Sequence, residues 1–173
     1  MMRSVSTTNP YYRSSYVFVS PAARHLHLTS FADPDLNSGR IGLQILEEDL
    51  SPPSLPLIRE GHAGQLVGFD SFGKQEGDVV RAVADGRVGV AVVWGPVAGF
   101  FAQQNKTPLT ISPIASNYRF AGVPFTYAIS LGVHKRDVAL LSQLIASIER
   151  MRPQIERTLA GYHVPTTSEQ EGQ

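Results

Sequence analysis

Val88-Gly89-Val90-Ala91-Val92-Val93 is apolar from end to end, and Trp94-Gly95-Pro96 closes it. A strand with one wet face alternates apolar and polar residues. A run without alternation belongs to a strand buried on both faces, at the centre of a helix-covered sheet. Pro96 lacks the N–H that a first helical residue leaves unpaired anyway, so a helix is expected from it through Gln103. Just upstream, Asp78 is placed to cap a short helix over Val79–Ala84, with Gly86 as its stop. The run therefore reads as the middle of a helix–strand–helix unit.

On either side, the β-branched and aromatic runs Tyr16–Val19, Arg40–Ile45, Gln65–Phe69, Leu109–Ile114 and Phe125–Val133 read as further strands. Asp33-Pro34-Asp35 opens a single helical turn. Three prolines in residues 51–60 restrict any helix there to a short one ending near Gly61. At the far end, Val138, Leu141, Leu144, Ile145, Ile148 and Met151 recur at the spacing of one helix face, and Asp137 stands at the cap position. Pro153 breaks or kinks that helix, or starts a second one that carries Ile155 and Leu159 to Gly161. The first nine residues are polar and expected to be loose, and Val164–Gln173 is expected to be disordered. Strands alternating with helices give an α/β class with a mostly parallel sheet.

The chain has 173 residues, 42% of them hydrophobic, which is enough for one ordinary domain or two small ones. Fifteen basic residues balance fifteen acidic ones. That balance argues against a nucleic-acid binder, which needs a basic face to displace phosphate counterions, and against polybasic membrane attachment. No cysteine is present, so disulfides, thiolate catalysis and cysteine-ligated metals are excluded together. No stretch is long and apolar enough to span a bilayer, and the start MMRSVSTTNPYYRSS lacks the apolar centre of an export signal.

Catalytic signatures are few. Gly73-Lys74 has neither Walker spacing nor a following Ser/Thr, and no G-x-S-x-G elbow occurs. His25 and His27 would share a face of an extended segment. With a carboxylate they could ligate a metal, but no third ligand stands at a recognisable spacing, so two exposed imidazoles in a polar loop are the favoured reading. Glu47-Glu48-Asp49 is an acidic cluster after a strand, suited to a hard cation or simply to solvent. Tyr11-Tyr12-Arg13-Ser14-Ser15 combines rings, a guanidinium and hydroxyls that can line a cleft. In open α/β sheets ligands bind beyond the carboxyl ends of the strands, so Trp94-Gly95-Pro96 is the best placed candidate; a packed core tryptophan is the other reading.

Several strings also resemble a known family. Asn9-Pro10-Tyr11-Tyr12-Arg13-Ser14-Ser15-Tyr16-Val17-Phe18-Val19 is similar to the first inter-lobe crossover of periplasmic solute-binding proteins of the amino-acid-binding (family 3) type. Gly39-Arg40-Ile41-Gly42-Leu43-Gln44 resembles the opening of their second lobe. Gly86 to Phe101 resembles the subgroup associated with quinoprotein alcohol dehydrogenases, the "J" component encoded beside methanol dehydrogenase. Phe125–Val133 resembles the return crossover, and Met151-Arg152-Pro153-Gln154-Ile155 and Gly161-Tyr162-His163-Val164-Pro165 fit the same subgroup.

The resemblance implies a periplasmic-binding-protein-like α/β fold, with one complete lobe and the closing part of the other. It divides the chain into residues 1–15, a loose start and first crossover; 16–124, the second lobe; 125–163, the return crossover and helices of the first lobe; and 164–173, a disordered tail. It implies a non-catalytic, cofactor-free and metal-free accessory protein of a PQQ-dependent alcohol or methanol dehydrogenase, located in the periplasm. The partner would be the dehydrogenase, a small organic ligand, or both. The alternative is a solute receptor of an ABC transporter, with a permease as partner. The implied ligand-binding residues are Tyr12, Arg13, Ser14, Gln44, Trp94, Gly95 and Pro96. Two departures accompany the match. It begins at the first crossover, so the export signal and most of the first lobe are expected to lie before a truncated or misassigned start, or to be supplied by a partner; without them an apolar helix face would be exposed. Trp94-Gly95-Pro96 stands where amino-acid receptors of this type carry an aspartate, and Ile45-Leu46-Glu47 where they carry Gly-Thr, which sets the chain apart from classical amino-acid uptake.

Overall fold

The structure is a computed structural model that describes residues 4–46, 49–71 and 73–167, without the side chain of Lys74. In chain order the elements are β1 (Val5–Thr7), β2 (Tyr12–Pro21), β3 (Ile41–Leu46), β4 (Asp49–Leu50), α1 (Ser54–Arg59), β5 (Leu66–Asp70), α2 (Asp78–Ala84), β6 (Val90–Trp94), α3 (Gly95–Ala102), β7 (Leu109–Pro113), β8 (Arg119–Phe120), β9 (Val123–Pro124), β10 (Thr126–Ile129), β11 (Gly132–His134) and α4 (Val138–Gly161).

The central sheet runs β5-β3-β6-β2-β7. β3 is parallel to β5 and to β6, while β2 is antiparallel to both β6 and β7. Four of these five strands point one way and β2 runs against them; β4 and β10 complete the sheet with antiparallel ladders to β3 and β2, so the α/β class holds with a mixed sheet in place of the expected mostly parallel one. β2 is also longer than its apolar run. Its first residues, Tyr12–Ser15, leave the sheet body and pair with β10.

Strand alternation sorts the core into two layers. Val17 and Val19 of β2 and Ala91 and Val93 of β6 pack against Val79, Val80 and Val83 of α2 and Ala98 of α3. Tyr16, Phe18, Val90 and Val92 face the other way, onto Leu28, Phe31, Leu36 and Leu57. β6 is buried on both faces because both layers are covered, as its unbroken apolar run requires. Phe18 is 1% exposed; removing its ring by Phe18→Ala would cost about 3–5 kcal/mol.

Several expectations change in the structure. Asp78 is the first residue of α2 rather than its cap, and its carboxylate pairs with Arg81 one turn on. Asp137 takes the N-cap position of α4 as expected, but its side chain makes no capping bond. Pro153 neither breaks α4 nor starts another helix: one helix runs across it, because an exposed face tolerates the loss of a single backbone bond. The expected strand over Phe125–Val133 divides into β10 and β11, which serve different sheets. The start is not loose over Val5–Thr7, since β1 pairs antiparallel with β11. Val164–Thr167 is ordered too, pairing with β2 through Ser14 and Thr166. Glu47 and Glu48 of the acidic cluster, and Ser168–Gln173 of the tail, lie outside the described residues. The single turn at Asp33 forms as expected, with the Asp33 carboxylate accepting from the Asp35 N–H.

Candidate functional site

β3 and β6 are parallel neighbours, so their carboxyl ends lie side by side. There the Gln44 side-chain oxygen accepts a hydrogen bond from the Trp94 backbone N–H at 2.9 Å, which fixes the end of β6 against β3. β2 brings Tyr16 directly opposite Trp94 across their ladder. On the other side of β2, β10 sets Tyr127 opposite Ser14, diagonal to Tyr16 on the same face.

Three adjacent strands thus carry Trp94, Tyr16 and Tyr127 as a row across the sheet, whose rings close into a triangle. Their ring centroids are 5.6 Å (Tyr16–Trp94), 5.7 Å (Trp94–Tyr127) and 6.4 Å (Tyr16–Tyr127) apart, each pair edge to face. Such pairs add about 0.5–1.5 kcal/mol beyond area burial. Phe125 backs the row, with its ring 5.9 Å from that of Tyr16. Tyr16 is 6% exposed, whereas Trp94 and Tyr127 are half-buried and open the row to solvent.

Burial, and after it the neighbouring Tyr127, pushes the Tyr16 phenol up to about 12. Burial also raises the Tyr127 phenol. Both rings therefore stay neutral at ordinary pH. They can donate and accept hydrogen bonds and offer apolar faces, but they are not general bases there. The row suits packing against an uncharged or ring-bearing group and has no evident proton-transfer chemistry.

The residues implied by the sequence divide between three places. Trp94 and Gln44 meet at the row, Trp94 as wall and Gln44 as its brace, buried to 4% exposure. Pro96 is half-buried in the first turn of α3 beside them. Ser14 and Gly95 are packed. The Ser14 hydroxyl donates to the Pro165 carbonyl at 2.6 Å, and a Cβ on Gly95 would lie 2.6 Å from Ser14 Oγ and 2.9 Å from Pro165 Cγ. Tyr12 and Arg13 line a separate polar groove of about 510 Å³ between β2 and α4, shared with Glu149, Arg152 and Thr167. Tyr16 and Tyr127 were not among the implied residues. Both sit in sequence-predicted strands, but only the β6-β2-β10 register brings them to Trp94. Among the described residues, no three His, Asp or Glu side chains converge as a metal ion would need. No helix among them is long and apolar enough to cross a membrane.

On α4 only Ile148 is buried. Val138, Leu140 and Met151 are 65%, 45% and 43% exposed. Leu144, Ile148, Met151 and Ile155 line an apolar groove of about 340 Å³ together with Tyr11 and Leu131.

No family model matches the chain. It is similar to the protein MoxJ of Methylorubrum extorquens, 28% identical over 177 residues, which cover 93% of this chain and 58% of that protein. It is 26% identical to MoxJ of Paracoccus denitrificans, covering 92% of this chain and 62% of that one. The chain therefore spans less than two thirds of the length of the curated relatives it matches. Among solved structures, the periplasmic binding protein XoxJ from Methylobacterium extorquens matches with a TM-score of 0.80 at 28% identity, over 95% of this chain and 74% of that one.

Proposed function

We propose, on the premise that this chain is a J-type relative of the periplasmic binding proteins, that it serves a PQQ-dependent alcohol or methanol dehydrogenase as a non-catalytic accessory protein. In this reading the chain works in the periplasm, and its aromatic row grips a segment or small ligand of the dehydrogenase. Residues 16–124 act as the second lobe, and residues 125–163 as the return crossover and closing helix of the first.

One observation carries the proposal. Where amino-acid receptors of the resembled type present a carboxylate for an ammonium group, this chain presents Trp94, and the Gln44 oxygen beside it is committed to the Trp94 N–H. A bound amino acid needs charged partners for both its termini. An aromatic wall instead favours apolar and ring-bearing groups, of the kind that anchor protein contacts.

The test is binding of the purified chain to an immobilised quinoprotein methanol dehydrogenase, with and without Trp94→Ala. The reading expects saturable binding that weakens at least about tenfold in the variant, a loss typical of a buried aromatic anchor. If the dehydrogenase does not bind, while a small organic solute raises the melting temperature by mass action, the alternative of a transporter's solute receptor replaces it.

A further inference from the structure

We propose that the segment leaving the end of α4, Tyr162 to Thr167, is a latch that sets the geometry of the aromatic row. The inference concerns the resting chain and does not depend on which ligand the row takes.

The latch begins with a chain reversal. His163 takes a left-handed backbone conformation, φ 48°. Its N–H bonds to the Ala160 carbonyl, and the Val164 N–H to the Leu159 carbonyl, both at 2.9 Å. That pair of bonds is the reversal that ends many helices, here with histidine where glycine is usual. The chain then turns back over α3. A Cβ on Gly99 would lie 2.2 Å from the His163 carbonyl oxygen and 3.2 Å from that of Tyr162, so only glycine permits the backbone to lie so close. One turn earlier, Gly95 leaves room for the Pro165 ring and the Ser14 hydroxyl. The Tyr162 ring lies 5.7 Å from that of Phe100.

Beyond Pro165 the segment joins the sheet. The Thr167 N–H donates to the Arg13 carbonyl at 3.0 Å, and the Ser14 hydroxyl to the Pro165 carbonyl at 2.6 Å. β2 is thus flanked at Ser14 by β10 through Tyr127 and by the latch through Thr166. α3 and β2 are also the elements that hold the row: Gly95 directly follows Trp94, and Ser14 and Ser15 directly precede Tyr16. α4 buries only Ile148, so few core contacts fix it, and its end is tied down through this segment. A shift of α4 would therefore pull on the Gly95 turn and on β2 together. The geometry makes the seating of α4 and the shape of the row two readings of one equilibrium, and such coupling is reciprocal.

The experiment uses the full chain and Gly99→Ala, which forces the latch off α3 while alanine itself favours the helix. Two signals are read: exchange of the Thr167 amide by NMR, and emission and acrylamide quenching of Trp94, the only tryptophan. Faster Thr167 exchange, by at least about tenfold as local opening requires, together with an altered Trp94 signal, supports the latch. Ser14→Ala, which removes one bond and adds no bulk, should move both signals the same way by less, and decides the matter if Gly99→Ala does not fold. A freed Thr167 with an unmoved Trp94, or no change in either signal, overturns the proposal.

Discussion

Tyr16 joins the buried core to the exposed row, and its ionisation gives the core a pH limit. Its phenol is held neutral up to about 12 in the folded chain, against an ordinary 10.0. Above pH 10 the unfolded phenol loses its proton while the folded one keeps it, so stability present below pH 10 is lost as pH rises towards 12. The loss from this residue is on the order of 2 kcal/mol. Urea unfolding in steps from pH 9 to 12 should show it, with a visibly shallower fall in Tyr16→Phe. An equal slope in the variant would assign the effect to other tyrosines. Gln65 gives a second check at this scale. Its amide nitrogen donates to the carbonyls of Leu36, at 3.0 Å, and Gly39, at 2.6 Å, which turns its oxygen towards His62 Nδ1 at 2.8 Å. His62, 4% exposed, must therefore carry its proton on Nδ1. Gln65→Ala strips all three partners and should cost about 1–3 kcal/mol in urea unfolding. A change within a few tenths would mean that water replaces the bonds freely.

Elements were legible in the sequence where one local cause decided them. Val90–Val93 of the unbroken Val88–Val93 run became the doubly buried part of β6, and the apolar face from Val138 to Met151 became part of α4. Where a tertiary partner decides, the sequence was silent. The stretch from Val164 looks like a loose tail, yet Gly99 leaves room on α3 for the backbone leading into it, and Gly95 for the Pro165 ring. Tyr16 and Tyr127 are far apart in the sequence, and nothing local tells that β2 will lie between β6 and β10. The end of α4 carries its own prediction. His163 occupies a left-handed position at an exposed site, so His163→Gly removes a steric penalty of about 1 kcal/mol. The melting temperature should rise by roughly 2–4 °C for a chain of this size. A fall would show that the imidazole makes contacts outweighing that penalty.

For the chain taken entire, the resemblance rather than composition pointed to the J-type relatives, and the fold match to XoxJ agrees with it. Composition contributed the absence of net charge. A neutral chain offering an aromatic row is expected to form its complex with a negative heat-capacity change and little dependence on salt. Calorimetry at several temperatures and ionic strengths checks this; a steep salt dependence would point to a charged contact surface away from the row. The most direct measurement uses the single tryptophan. With 5-fluorotryptophan incorporated, the chain has one fluorine reporter, at Trp94 in the row. Titration with a quinoprotein methanol dehydrogenase should shift or broaden its resonance saturably, while free amino acids leave it in place. A resonance untouched by the dehydrogenase, at concentrations where the two proteins demonstrably associate, would contradict the account by placing the contact elsewhere.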